Sequence, residues 1–258
     1  MMEDGKILGI ISIKGGVGKT TAVSNLGAVL AKRFKKKVLL VDGNITAPNL
    51  GLHLGILNSK HTLHDVLYNQ VPIWNAIQKS EHGFDVLMGA LVPKKDQKSR
   101  INPYKLHNRL SQIKKDYDFI LIDSSPNIND EMLSTLIAAD ELLVVTSPDY
   151  PTLSCTMHAV KIAKERKTPI AGLILNKVRH KKFEISAAEI ESSTGVPVLS
   201  VISDDVKVLE SLSKTTPASI CSPNKDFTIE YSLLASKLTG DDYEDPRLLS
   251  KLRKAFRR

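Results

Sequence analysis

The chain has 258 residues, of which 42% are hydrophobic and 25% charged, and carries a formal charge of +8 at pH 7. That is enough chain for one large α/β domain of ordinary composition, which argues against a disordered or fibrous protein. No apolar run approaches the roughly 18 residues of a membrane span. The two cysteines, Cys155 and Cys221, lie far apart, form no C-x-x-C and read as core or incidental thiols in a reducing cytosol. The positive balance points to an anionic partner, DNA or an acidic membrane surface, against the plainer reading of a lysine-rich solvated surface.

The first residues lead directly into an apolar run over 7–13, a predicted buried strand, so no secretory leader is expected. Then comes Ser12-Ile13-Lys14-Gly15-Gly16-Val17-Gly18-Lys19-Thr20-Thr21, followed over 22–31 by apolar residues at helical spacing. Strand, glycine-rich turn and helix form the setting of a phosphate-binding loop. The glycines let the backbone bend so that N–H groups of Gly15, Gly16, Val17, Gly18, Lys19, Thr20 and Thr21, at the helix N-terminus, face a polyphosphate. Lys19 is placed to set its ammonium between the β- and γ-phosphates, and the Thr20 hydroxyl to complete a Mg²⁺ shell. The strict G-x-x-x-x-G-K-[ST] pattern fails at its first glycine, where Ile13 stands. A lysine, Lys14, precedes the glycine pair instead.

Further strands are predicted over 37–41, 84–88, 119–122, 141–145, 170–175 and 196–201, with helical patterns between them, such as 104–115 and 152–166. The alternation predicts one α/β P-loop domain, a mainly parallel twisted sheet of about seven or eight strands with helices on both faces. Chemistry is expected at the strand ends. Asp42 and Asp123 each close an apolar run, and Asp123 has the form of a Walker B aspartate that binds Mg²⁺ through water. A strand-end cap is the plainer alternative. Asn44 stands two residues after Asp42, where an amide can hydrogen-bond a water but cannot accept its proton. The segment Asn176-Lys177-Val178-Arg179 opens like the guanine motif N-K-x-D. Arg179 replaces the carboxylate that the guanine N1 and N2 protons require, whereas Asn176 alone suits the N6/N7 edge of adenine. This favours ATP over GTP.

The run from Lys14 to Thr21 resembles the deviant Walker A motif of the MinD/ParA family of ATPases, and the likeness extends over about residues 6–240. Residues 42–52 and 62–67 are similar to archaeal MinD-like proteins at their first switch. Residues 124–128 are similar to the second switch, with Asn127 near a position where a glycine is common. The resemblance implies ATP and Mg²⁺ as cofactors, with Thr20, Asp42 and Asp123 around the metal and Asn176 on the base. It implies a homodimer formed on ATP binding, in which Lys14 reaches the other subunit's nucleotide while Lys19 holds its own. Hydrolysis by in-line water attack would reset the dimer. Where the family has a second aspartate this chain has Asn44, which implies slow hydrolysis. Relatives with iron–sulfur clusters carry paired cysteines, and these are missing from the sequence. The implied task is that of a MinD-type switch ATPase for spatial positioning or cell division, working with a protein partner.

After Gly240 the composition changes, which divides the chain into an ATPase domain over 1–240 and a tail over 241–258. An acidic stretch ends at Pro246. Beyond it Leu248, Leu249, Leu252 and Phe256 form one apolar stripe among six Lys/Arg residues, the pattern of a short interfacial helix. Each basic residue near an anionic surface contributes about 1 kcal/mol at best, so one tail binds marginally and two on a dimer bind by avidity. The expectation is a cytoplasmic protein, peripheral on the inner face of the cell membrane. A helix docked on the protein itself and a solvated basic terminus are the plainer readings. One rival is a ParA-like DNA-partition ATPase, using Lys35-Lys36-Lys37, Lys94-Lys95 with Lys98 and Arg100, and Arg179 with Lys181-Lys182 as a nonspecific DNA surface. Another is a hydrolysis-deficient ATP-dependent scaffold.

Overall fold

A computed structural model describes residues 5–92, 94 and 102–247. Its strands are β1 (Lys6–Ile11), β2 (Val38–Gly43), β3 (Ile77–Lys79), β4 (Asp85–Leu87), β5 (Phe119–Ser124), β6 (Glu141–Thr146), β7 (Ile170–Val178) and β8 (Val198–Ser203). They form one sheet in the order β3-β4-β2-β5-β1-β6-β7-β8, in which β3 runs antiparallel at the edge and every other pairing is parallel. The helices are α1 (Lys19–Lys32), α2 (Leu50–Leu54), α3 (Leu63–Leu67), α4 (Ile73–Ala76), α5 (Tyr104–Leu110), α6 (Asp130–Ala138), α7 (Tyr150–Glu165), α8 (Ala187–Thr194), α9 (Val206–Ser213), α10 (Ala218–Cys221) and α11 (Asp226–Thr239).

Successive strand residues point to opposite faces, and here both faces are covered, which is why the central strands read as unbroken apolar runs. Leu8, Ile10, Leu40, Leu121 and Leu143 enter a core shared with Leu26 and Leu30 of α1 and Phe227 and Leu234 of α11. On the other face, Ile7, Leu39, Val41, Ile120 and Ile122 pack with Leu63, Val66 and Leu67 of α3 and Leu110 of α5. Ile11, Leu142 and Val144 meet Met132 of α6 and Ala159 and Val160 of α7. The helix expected over 104–115 stops at Leu110. The chain tightens there, and a separate 3₁₀ turn covers Lys114–Asp116, which brings Ile113 into the same core as Leu110. The β3 strand escaped the sequence reading because three residues establish no period.

Beyond α11 the chain folds back on the domain. Arg33, just past α1, donates to Ser232 Oγ and to Tyr243 OH (2.7 Å each), and its guanidinium lies over the Tyr243 ring. Lys36 pairs with Asp241 at 2.8 Å and Arg247 with Glu230 at 2.7 Å. The acidic stretch is thus a strap on α1 and α11 as far as residue 247. Leu248, Leu249, Leu252 and Phe256 lie outside the described residues. Among the described residues no helix is long and apolar enough to cross a membrane.

Candidate nucleotide site

The connection from β1 to α1 sits where β5 and β6 flank β1, so its turn opens at the C-terminal edge of the sheet, the usual crevice for a ligand in such sheets. Gly16 and Gly18 are left-handed, with φ of 76° and 98°. Gly18 caps α1 with no side-chain bond, and no acidic residue occupies the first helical turn, so the positive end of the helix is left for an anion. Lys19 is buried; desolvation lowers its pKa and the Asp123 charge opposes that. From the end of β7, Asn176 Nδ2 donates to the Val17 carbonyl at 2.8 Å and Lys177 Nζ to the Gly16 carbonyl at 2.6 Å. Two carbonyls that would repel a phosphate are held by donors. Asn176 is therefore part of the loop's scaffold, one amide proton already spent. Lys177 was missed in the sequence, where its only signal was its place beside Asn176.

The β2–β5 register puts Asp42 opposite Asp123, and both are buried. Thr20 Oγ1 donates to Asp123 Oδ2 at 2.6 Å and lies 3.0 Å from Asn49 Oδ1. Asp42 accepts the N–H groups of Asn44 at 3.3 Å and Leu50 at 3.0 Å, which orders the loop after β2. Burial first, and the Asp123 charge second, hold the Asp42 carboxyl well above its ordinary range. Burial pushes Asp123 up to about 6, against the Thr20 bond and the Lys19 charge. Asp123 Oδ1 is buried with no hydrogen-bond partner. Facing carboxylates, a hydroxyl and an orphaned oxygen suit a hard divalent cation that takes its remaining ligands from phosphate and water. Thr20, Asp123 and Asp42 therefore fit Mg²⁺. Among the described residues, no cluster of three or more His, Cys, Asp or Glu offers a different metal site.

Asn44 closes on its own turn, with Nδ2 donating to the Ala47 carbonyl at 2.7 Å and Oδ1 accepting the Ala47 N–H at 3.3 Å. Its amide is engaged there rather than offered to a water. Two side chains that sequence reasoning missed hold the same loop. His64, buried in α3, accepts the Ala90 N–H at Nδ1 (3.0 Å) and bonds the backbone of Ile45, while burial lowers its pKa. Glu131 in the first turn of α6 accepts the Thr46 N–H at 3.0 Å and the Thr46 hydroxyl.

Lys14 rests outside the loop's cradle. Its ammonium donates to Thr152 Oγ1 at 2.8 Å and to Asp149 Oδ1 at 3.1 Å, at the start of α7. Asp149 caps α7 through the Thr152 N–H at 2.9 Å. Partial desolvation pushes the Asp149 carboxyl up, but donation from Ser147, Thr152 and Lys14 outweighs it and holds the carboxyl down at about 2.

A cavity of about 450 Å³ runs from the glycine-rich turn, past Asn44, Ser124 and Pro126, to Asn176, Asp204 and Leu209. Its size is that of a small-molecule cofactor site. Arg179, standing where a guanine-reading carboxylate would be, pairs with Asp204 at 2.7 Å. Three residues of the other basic clusters have partners within the chain as well. Lys36 is on Asp241, Lys37 lies over the Tyr117 ring, and Lys94 pairs with Asp65 at 2.6 Å. Lys95, Lys98 and Arg100 lie outside the described residues.

A family profile described as an AAA domain matches residues 5–170. An uncharacterised ATP-binding protein of Methanocaldococcus jannaschii is 33% identical over 237 residues, covering 92% of this chain and 89% of the relative. The cell division ATPase MinD of Pyrococcus furiosus superposes with a TM-score of 0.85 at 33% identity, over 92% of this chain and 99% of that one. The septum site-determining protein MinD of Pyrococcus horikoshii, solved with Mg-ADP, superposes with a TM-score of 0.84 at 32% identity, over 91% and 96%. With the deviant glycine-rich turn, the paired aspartates of β2 and β5 and this likeness along nine-tenths of its length, the chain belongs to the MinD/ParA family of P-loop ATPases.

Proposed function

We propose that the protein is an ATP-operated switch that binds ATP with Mg²⁺, closes into a homodimer and reopens on hydrolysis, serving spatial positioning or division. The observation that carries this reading is the resting place of Lys14. Its side chain is 40% exposed at the rim of the site, held by Asp149 and Thr152 rather than by its own phosphate loop. A half-exposed ion pair is worth about 1 kcal/mol at most, so Lys14 can exchange that contact for a phosphate on a second subunit. Lys19 and the N–H groups of residues 15–21 would hold the β- and γ-phosphates, and Thr20, Asp123 and Asp42 would hold the metal. When bound, Mg²⁺ would supply positive charge that offsets the charge of the polyphosphate and of the two buried carboxylates. The tail, beyond the strap, carries the dimer to an anionic membrane surface.

Light scattering with ATP, ADP and no nucleotide tests the switch. Doubling of mass with ATP alone, lost in Lys14→Ala while ATP binding persists, is the expected result. A Lys14→Ala protein that still doubles removes the cross-subunit role. Pelleting with anionic liposomes tests the tail, comparing the full chain with one ending at Arg247, which keeps the Tyr243 strap. Equal pelleting of the two discards the membrane reading.

Hydrolysis is slow in this reading because Asn44 cannot take a proton and its amide is tied to Ala47. Asn44→Asp should raise phosphate release several-fold. It should also lower the melting temperature, since the Ala47 carbonyl loses its donor and a third carboxylate joins Asp42 and Asp123. A variant no faster than wild type would count against assigning the slow step to Asn44.

A further inference from the structure

The loop over 44–49 borders the phosphate end of the cavity and is held at three places: Asn44 on Ala47, His64 on Ile45, and Glu131 on Thr46. The third contact differs from the others because it comes from α6, the helix that follows the second loop of the cavity, where Ser124 and Pro126 stand. Glu131 Oε1 accepts both the N–H and the hydroxyl of Thr46, while Oε2 is buried with no hydrogen-bond partner. One turn further on, Thr135 lies against Gly43, where an added Cβ would come within 3.4 Å of Thr135 Oγ1. Hence α6 runs along residues 43–46, with Glu131 as its polar hook.

A water attacking the γ-phosphate must be oriented by hydrogen-bond acceptors held in fixed geometry. The other candidates are committed. Both oxygens of Asp42 take loop N–H groups, Asp123 takes Thr20 and faces the metal position, and the Asn44 carbonyl oxygen takes the Ala47 N–H. Glu131 ties the loop over 44–49 to α6, the helix that follows the second loop, and keeps a buried carboxylate oxygen unsatisfied, an arrangement that proteins rarely leave without use. We propose that Glu131 is a positioning residue for hydrolysis. Acting through Thr46, it fixes the loop over 44–49 against α6, so that the two loops present the attacking water together, and it supplies negative charge beside a loop whose Asn44 has none. The inference rests on the ATPase reading above.

Turnover and ATP affinity are measured separately for wild type, Glu131→Gln, Thr46→Val and the double variant, with amide hydrogen exchange over the loop in nucleotide-free protein. Glutamine removes the charge that strengthens both bonds from Thr46 and replaces the buried, unpartnered Oε2 by an NH₂ group, so the clamp is weakened without shortening the side chain. Glu131→Gln should lower kcat by about tenfold or more while ATP affinity stays within about twofold. The double variant should be no slower than Glu131→Gln, because both changes act through one contact. Exchange should rise over residues 44–49 and not across the sheet. Wild-type kcat in Glu131→Gln, additive losses in the double variant, or exchange that rises throughout α6 and the sheet would each overturn the proposal. A wild type that binds ATP but releases no phosphate defeats the hydrolysis reading itself. Unchanged exchange of the loop in Glu131→Gln defeats the clamp, and the two failures are told apart.

Discussion

Asp123→Asn should make the nucleotide-free protein more resistant to heat at pH 8 and, in the same protein, abolish the dependence of ATP binding on Mg²⁺. The first effect follows from two buried carboxylates placed opposite each other in adjacent strands. The Asp123 carboxyl is raised by burial to about 6 and that of Asp42 well above its ordinary value. A carboxyl whose folded pKa lies above its unfolded value binds protons more tightly in the folded chain. Its stabilising contribution is complete below pH ~4 and is lost as pH rises through about 6. The rise of Asp123 from 3.8 to about 6 corresponds to about 3 kcal/mol, at about 1.4 kcal/mol per pH unit. Asparagine keeps the shape and can still accept from Thr20, but it carries no charge, so at pH 8 it recovers up to that amount. For a chain of this length that is a rise of about 6–12 °C in melting temperature. At pH 5 about half of the gap between variant and wild type should remain, and it should close below pH ~4. The second effect follows because the orphaned Asp123 Oδ1 fits the cation. Wild type regains at pH 8, on adding Mg²⁺ with ATP, the stability that the facing charges remove, and the variant does not. Melting curves across pH with and without Mg-ATP test both halves. A variant that melts below wild type at pH 8 without ligand would show that the carboxylate stabilises the resting fold.

The parts of the site legible in the sequence are those fixed by local pattern and by the geometry of a parallel sheet. Asp42 and Asp123 end two apolar runs, and strand ends of a parallel sheet converge on one edge, so their meeting could be expected without knowing their register. Lys19 and Thr20 follow from the glycine-rich turn alone. Contacts made by a side chain to a distant loop leave no such trace. Thr46 and Glu131 are 85 residues apart, and Lys14 and Asp149 are 135 apart. Nothing in either segment distinguishes Glu131 from any acidic residue in a first helical turn, where acid is favoured anyway. Asn176 shows the same limit in another form. Its residue type pointed to a base edge, and nothing in that type announces that one of its amide protons also goes to the Val17 carbonyl, a contact set by how closely β7 approaches the turn. The tail divides likewise. Its composition separates it from the domain, yet Tyr243 and Asp241 lie against the end of α1 because Arg33 and Lys36 happen to follow that helix.

Gly18→Ala should remove nucleotide binding while leaving a folded protein. At φ 98° the residue lies beyond the left-handed well near +57° that an L-residue tolerates, so alanine is strained there whatever the space. The space is also missing, since the new Cβ would stand 2.3 Å from Asn176 Nδ2. Moving Asn176 breaks its 2.8 Å bond to the Val17 carbonyl and frees the turn that the phosphates need. Backbone strain of this kind costs about 1–3 kcal/mol, within the 5–15 kcal/mol typical of folded domains. Binding suffers more, because several N–H groups of one turn lose their common aim. Affinity for Mg-ATP should fall by about a hundredfold or more, equal to about 3 kcal/mol. Gly15→Ala is the control. Its Cβ would meet nothing within 4 Å and its φ is not positive, so its stability should stay within about 0.5 kcal/mol of wild type. Adding Asn176→Ala to Gly18→Ala separates the two causes, since it removes the clash and leaves the strained φ. With φ dominant, the double variant binds Mg-ATP no better than Gly18→Ala in calorimetric titration. Recovery of affinity to within about tenfold of wild type would place the glycine requirement in the contact with Asn176 instead.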